Sequence, residues 1–294
     1  MNSLLYKFVY IPAFFVSLLP FSALFIFSDL FYLIIFYLIR YRRKIVQMNL
    51  KNAFPDKQKS EILEIEKGFY RHFCDYFFET IKLLNISDTE IKKRITFKNK
   101  ESLQSILDKK QPVVLLLGHY GNWEWIPSLS LHLQLDEDTV FGQIYRRLKN
   151  KTADRFFLHL RKRFRTVNLT KHGVFRDIVN IRKENKSWIL GFMSDQKPSG
   201  NQIPHIMQFL NQETPVLTGT EKIARHTGAA VCYLDITYIK RGYYEVDTQV
   251  IFENAAETSE FVITEKYIHC LEQTINRNPA CYLWTHNRWK LIIN

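Results

Sequence analysis

The chain has 294 residues, 46% hydrophobic and 15% aromatic, with only 10 Gly and 9 Pro. That composition excludes a disordered chain or a fibrous repeat, and the length suffices for a large core. Its 41 Lys and Arg against 29 Asp and Glu give a formal charge of +12, which suits an anionic partner: a membrane surface, a phosphorylated lipid, an acidic protein or nucleic acid.

Residues 8–39 carry a single charge, Asp29. A bilayer core of about 30 Å needs only about 20 helical residues, so the run is long enough to cross one. Pro12 and Pro20 interrupt it, which leaves a kinked spanning helix or a shallow helical hairpin. It is too long for a signal peptide, and no small-residue cleavage site follows. Next comes Arg40-Tyr41-Arg42-Arg43-Lys44. Positive charge beside an apolar span stays in the cytoplasm and binds acidic headgroups. Residues 1–44 are therefore expected to anchor a cytoplasmic domain, 45–294.

Residues 45–110 read as a helical lead-in, with Phe69, Phe73, Tyr76, Phe77 and Thr80 spaced as on one buried helix face. An α/β core, 111–294, follows. Val113–Leu117 is wholly apolar, as expected of a strand buried on both faces. Further strands are expected at 140–145, 166–169, 188–193, 230–239 and 243–252. Helices at 123–135, 151–163, 174–184, 218–227 and 261–276 separate most of them. The alternation predicts an α/β fold, a mostly parallel central sheet flanked by helices, with 230–252 as a late antiparallel hairpin turning at Arg241-Gly242. Cys74, Cys232, Cys270 and Cys281 make no C-x-x-C pair and read as reduced core thiols.

In such a sheet chemistry belongs at the carboxyl ends of strands. After Val113–Leu117 the sequence is Gly118-His119-Tyr120-Gly121-Asn122-Trp123-Glu124. The glycines permit a sharp turn, and Asn122 suits the N-cap of the next helix. Along one continuous helix His119 and Glu124 would face about 140° apart. They meet only if His119 is in the turn and Glu124 in the first helical turn. Glu124 would then hold one imidazole nitrogen and fix the tautomer of a general base, with amides at the helix start receiving negative charge on a carbonyl oxygen. There is no H-E-x-x-H pair for zinc and no G-x-S-x-G elbow. From Arg146 to Arg165 nine Lys or Arg accompany one acid, Asp154, so this stretch suits a phosphorylated glycolipid or an acidic carrier protein.

These residues resemble a known family. The His-x4-Glu box is similar to block I of the lysophospholipid acyltransferase superfamily, and the whole pattern resembles its lipid A late acyltransferase branch, the lauroyl and myristoyl transferases. Asn49-Leu50 and Ala53-Phe54-Pro55 resemble the branch's early signature. Ile144-Tyr145-Arg146-Arg147-Leu148-Lys149-Asn150 resembles its second block, with Arg147 where proline is common. Ser194-Asp195-Gln196 and Thr218-Gly219 resemble the third and fourth blocks, and Trp284-Thr285-His286-Asn287-Arg288-Trp289-Lys290 the carboxyl-terminal run. The resemblance implies a membrane-bound O-acyltransferase that carries a fatty acyl chain from acyl-acyl carrier protein to a hydroxyl of a lipid A precursor at the inner membrane, without metal or organic cofactor. It implies His119 and Glu124 as catalytic residues, with Asn122, Arg146, Arg147, Asn150, Asp195 and Gln196 binding substrate. The same chemistry on an amino-acid lipid or mannolipid is the alternative. A basic module that binds anionic lipid without chemistry is a further reading. No nucleic-acid signature appears.

Overall fold

The computed structural model describes residues 3–198 and 205–289. In chain order the helices and strands are α1 (Ser3–Leu18), α2 (Phe21–Leu33), α3 (Arg43–Ala53), α4 (Lys59–Lys82), α5 (Asp88–Arg94), β1 (Ile95–Lys98), α6 (Lys100–Asp108) and β2 (Val113–Leu117). A 3₁₀ helix, Trp123–Leu131, leads to β3 (Thr139–Tyr145), α7 (Lys151–Arg161), β4 (Val167–Thr170), α8 (Val174–Lys183) and β5 (Ser187–Met193). Then come β6 (Ile206–Phe209), β7 (Gln212–Pro215), α9 (Gly219–Thr227), β8 (Ala230–Lys240), β9 (Tyr243–Phe252) and α10 (Val262–Arg277).

The seven-stranded sheet runs β1-β9-β8-β2-β5-β3-β4. All of its pairs are parallel except β8 with β9, the expected late hairpin, and Gly242 in its turn has φ +73°. The fold is thus α/β with a mostly parallel central sheet flanked by helices. Strand β2 is central because all five of its side chains are apolar and buried, which only a position covered on both faces satisfies. Three strands fall outside the sequence reading. β1 lies inside the stretch expected to be wholly helical and joins the sheet edge beside β9. β6 and β7 form a separate antiparallel pair.

The apolar leader breaks at Leu19-Pro20 and continues from α2 through a π-helical turn, Ile34–Ile39. Phe21–Ile39 is one helical run long and apolar enough to cross a membrane. Its inner face, Phe21, Leu24, Ser28 and Tyr32, is buried. On α4 the expected face is partly revised: Phe69 and Thr80 are buried, but Phe77 is 46% exposed, and the buried surface includes His72, Asp75 and Glu79.

The early signature and the carboxyl-terminal run pack against each other. The Asn49 side chain donates to the carbonyls of Trp284 (2.9 Å) and His286 (3.0 Å), and the Phe54 ring meets Trp284 edge-on at 5.9 Å. Buried Trp289 donates to Thr214 Oγ1 at 2.8 Å. Lys290, the last residue of that run, lies outside the described residues. The four cysteines are free and buried.

Candidate active site

His119 follows β2 and Asp195 follows β5, the neighbouring parallel strand. Their register pairs Leu117 with Met193. Two residues further along each strand the same register sets His119 opposite Asp195, within side-chain reach because neighbouring strands lie about 4.8 Å apart. The contact is made twice: the His119 amide donates to Asp195 Oδ2 at 3.0 Å, and Nδ1 lies 2.7 Å from Oδ1. The turn itself needs its glycines. A Cβ on Gly118 would strike the Leu271 side chain, and Gly121 has φ +60° with Ile236 2.9 Å from where its Cβ would be. The segment 281–283 ties the turn down through Gly121 N to Cys281 O and Leu283 N to His119 O, both 3.0 Å. With the amides of His119, Gly121 and Trp125 all committed to protein acceptors, they are not available to a substrate carbonyl.

A buried carboxylate on Nδ1 fixes the imidazole tautomer: Nδ1 carries the proton and donates it, so Nε2 is the acceptor. Gln196 Nε2 lies 3.2 Å from that nitrogen and is its donor. Asp195 is 2% exposed. Burial alone would raise its carboxyl, but the His119 imidazole and amide, helped by Arg288, outweigh burial and hold it at about 2. Arg288 itself is buried over the Phe209 ring, 5.2 Å from its centroid. Asp195 and Gln196, expected to bind substrate, thus occupy the two ring nitrogens of His119.

Glu124 does not brace His119 here. Its carboxylate is buried and is taken by Arg161, with Nε to Oε2 at 2.8 Å and Nη2 to Oε1. The cause is local. The helix after the turn is 3₁₀, not α. Successive residues in a 3₁₀ helix point about 120° apart. Trp123 takes the direction toward His119, its ring edge-to-face at 5.3 Å and stacked on Tyr76 at 4.2 Å. Glu124 therefore turns away, to α7. Asn122 stands at the expected N-cap position, but its side chain makes no cap bond and donates instead to buried Glu79 Oε2 at 2.8 Å. At 1% exposure it has no surface for substrate.

Two openings lie beside the side chains that contact His119, one at Gln196 and one at Trp123. On the Gln196 side a cavity of 220 Å³ is lined by Arg146, Lys171 and Lys197 together with apolar Ile144, Phe192, Met193 and Leu217. Gly219, of the expected fourth block, lines it too, and Ser194 of the third bonds Thr220 Oγ1 at 2.8 Å. On the Trp123 side a narrow apolar slot runs past Leu117, Ile126, Phe141, Met193 and Gly191. Arg147 diverges from Arg146. It lines a separate cavity of 830 Å³ between α1 and α7, with Tyr6, Tyr10, Lys149, Arg155 and Lys162. Asn150 caps α7, accepting from the amides of Thr152 and Ala153, so its contacts are to protein.

The basic run is only partly a binding surface. Arg161 serves Glu124, and Arg163 donates to the carbonyls of Leu83 (3.1 Å) and Ile86. Sequence reasoning missed Arg161 as the partner of Glu124, and it missed Lys171, Lys197 and Gly191 as cavity walls. The first follows from the 3₁₀ geometry. The others become neighbours only through sheet order.

The family model for bacterial lipid A biosynthesis acyltransferase matches residues 3–291 of the chain. No curated protein matches it.

Proposed function

Because this chain belongs to the bacterial lipid A biosynthesis acyltransferase family, and so is an acyltransferase, we propose that it transfers a fatty acyl chain from acyl-acyl carrier protein to a hydroxyl of a lipid A precursor. The work is done on the cytoplasmic face of the bacterial inner membrane, with residues 1–44 as anchor and 45–294 as transferase domain. The observation that carries this reading is the His119 ring, its Nδ1 held by a buried carboxylate and its Nε2 met by Gln196, a wall of a cationic cavity.

In the proposed reaction the acceptor hydroxyl displaces the Gln196 amide from His119 Nε2 and gives up its proton there. The oxygen attacks the thioester carbonyl, and the tetrahedral intermediate collapses with loss of the carrier thiolate. The imidazolium returns its proton to that sulfur, leaving an ester and a thiol. Asp195 stabilises the imidazolium in between. Gln196, freed from the ring, and Arg146 are the nearby donors for the developing oxyanion. The apolar slot, 30 Å³ as it stands, widens to take the acyl chain, and Arg146, Lys171 and Lys197 hold the anionic groups of acceptor or carrier. Glu124 acts through Arg161: the pair fixes α7 to the 3₁₀ helix and so sets the Trp123 wall beside His119. It is a positioning residue.

Purified protein is incubated with acyl-acyl carrier protein and, in parallel, a lipid A precursor, an amino-acid lipid or a mannolipid, and the lipids are weighed by mass spectrometry. The precursor is expected to gain one acyl mass. A gain only on another lipid would move the assignment to that acceptor, and no gain on any would remove it.

A further inference from the structure

We propose that the amino-terminal segment is a one-leaflet anchor: residues 3–39 lie along the α/β body with their outer face in lipid, and they do not cross the bilayer. The inference rests on the membrane association proposed above and not on the chemistry at His119.

By length alone Phe21–Ile39 could span, but its inner side meets charge along its whole course. At the α1–α2 break the Lys82 ammonium donates to the carbonyls of Ser17 and Leu19, both at 2.7 Å. The Arg94 guanidinium lies 3.4 Å from the Phe21 ring centroid. Arg241 donates to the Phe25 carbonyl and to both Asp29 and Asp75, while Ser28 donates to Asp75 at 2.6 Å. Further on, Arg71 covers Tyr32 at 5.2 Å and Arg43 covers Phe36 at 4.2 Å. From Phe21 to Phe36 the helical run rises about 22 Å, most of the depth of a bilayer's hydrocarbon. Standing upright, the segment would carry these cations, and the body that holds them, through every level of that hydrocarbon, where charge is strongly disfavoured. Swinging free of the body would strip the buried Asp75 carboxylate of Ser28 and part the Asp29–Arg241 pair. Lying in plane, the segment keeps every one of these contacts on the body side.

The opposite side is suited to lipid. Phe8, Ile11, Phe15 and Leu18 of α1 and Ile26, Phe27, Leu30 and Leu33 of α2 are between 48% and 70% exposed, and Leu38 in the π turn 77%. Phe77 of α4 extends this surface, stacked on Phe31 at 5.7 Å. Exposed Lys7, Arg40, Arg42 and Lys44 flank it, and Arg147, Lys149 and Arg155 line the cavity where α1 meets α7. An apolar face rimmed by cations fits a single leaflet of an anionic phospholipid membrane.

The native cysteines are buried, so a membrane-impermeant maleimide reports on introduced ones. Asn2→Cys and, on the exposed end of α8, Lys183→Cys are expressed separately in the full-length protein and labelled in spheroplasts and in inverted membrane vesicles. Both sites are expected to react only in inverted vesicles, at least tenfold more than in spheroplasts. Reaction of both only in spheroplasts would keep the one-leaflet anchor and overturn the cytoplasmic assignment. Reaction of the two sites from opposite faces would overturn the anchor, as would protein that fails to sediment with membranes. If position 2 stays unreactive even in detergent, Lys7→Cys gives the same reading.

Discussion

Asp195→Asn separates the two carboxylates that compete for the role of supporting the base. The native carboxylate accepts from His119 twice, at 3.0 Å from the amide and 2.7 Å from Nδ1. Asparagine keeps the shape but has one acceptor oxygen and one NH2 group for these two donors. Whichever donor faces the NH2 is left unpaired, or the ring proton moves from Nδ1 to Nε2, the nitrogen proposed to act as base. The equivalent change in serine proteases lowers turnover about 10⁴-fold, so a loss of about 10³ to 10⁴ is expected here, or about 4 to 5.5 kcal/mol in the barrier. Glu124→Gln should behave differently. It leaves half-buried Arg161 without its counter-charge, which costs up to about 3–5 kcal/mol of stability, while turnover of the surviving folded protein should fall by no more than about 10²-fold, the scale of a small misplacement of the site. Turnover of purified protein with radiolabelled acyl-acyl carrier protein, alongside urea denaturation, reads both quantities. If Asp195→Asn kept turnover within tenfold of native while Glu124→Gln abolished it in a stably folded protein, the support of His119 would belong to Glu124 and the reasoning from the resting geometry would be wrong.

The buried Glu79 carboxyl is raised from 4.5 to about 7, first by burial and then by the Asp75 carboxylate. The folded state therefore holds a proton that the unfolded chain releases above pH 4.5, and stability should fall as pH rises from there to about 7. Glu79→Gln keeps the oxygen that accepts from Asn122 and Tyr244 and removes the titration. Native stability relative to this variant should decline by up to about 3 kcal/mol between pH 4.5 and 8 in urea denaturation, whereas parallel pH profiles would show that Glu79 is ionised throughout. At Gly191 a methyl group would meet nothing nearer than 3.8 Å, and its closest neighbours, Gly142, Gln143 and Leu117, are all walls of the apolar slot. Gly191→Ala should fold normally and shift preference toward shorter acyl donors, and an unchanged chain-length profile would take the acyl chain out of that slot. Arg146→Ala should raise the acceptor KM about tenfold or more, as loss of one charge-assisted contact does, with little change in melting temperature. An unaltered KM would leave Arg146 as surface charge.

The strands with the strongest pattern were legible because burial on both faces leaves an unbroken apolar run, as in Val113–Leu117, and because glycines mark where such a strand must turn. His119 at the carboxyl end of β2 follows from those two facts. Its true partner does not. Asp195 is 76 residues away in sequence, and only the order β2-β5 and the register of that pair bring it opposite the ring. Nothing local encodes either. Glu124 was misjudged because the segment after Asn122 was read as an α-helix, whereas the 3₁₀ helix that forms there turns Glu124 to Arg161. Strand β1 was hidden between helices, its four residues alternating buried and exposed over too short a span to outweigh the helical pattern around it. Phe77 fitted the spacing of a buried face, but that face is set by where α2 lies across α4, a tertiary fact.

The most direct measurement is the rate of acyl transfer by His119→Ala, in protein shown by melting temperature and membrane sedimentation to be folded and bound as the native chain is. A fall to the uncatalysed background is expected, because Nε2 is the proposed proton acceptor and Asp195 acts only through it. Transfer at the native rate would contradict that role and, with it, the mechanism built on this ring.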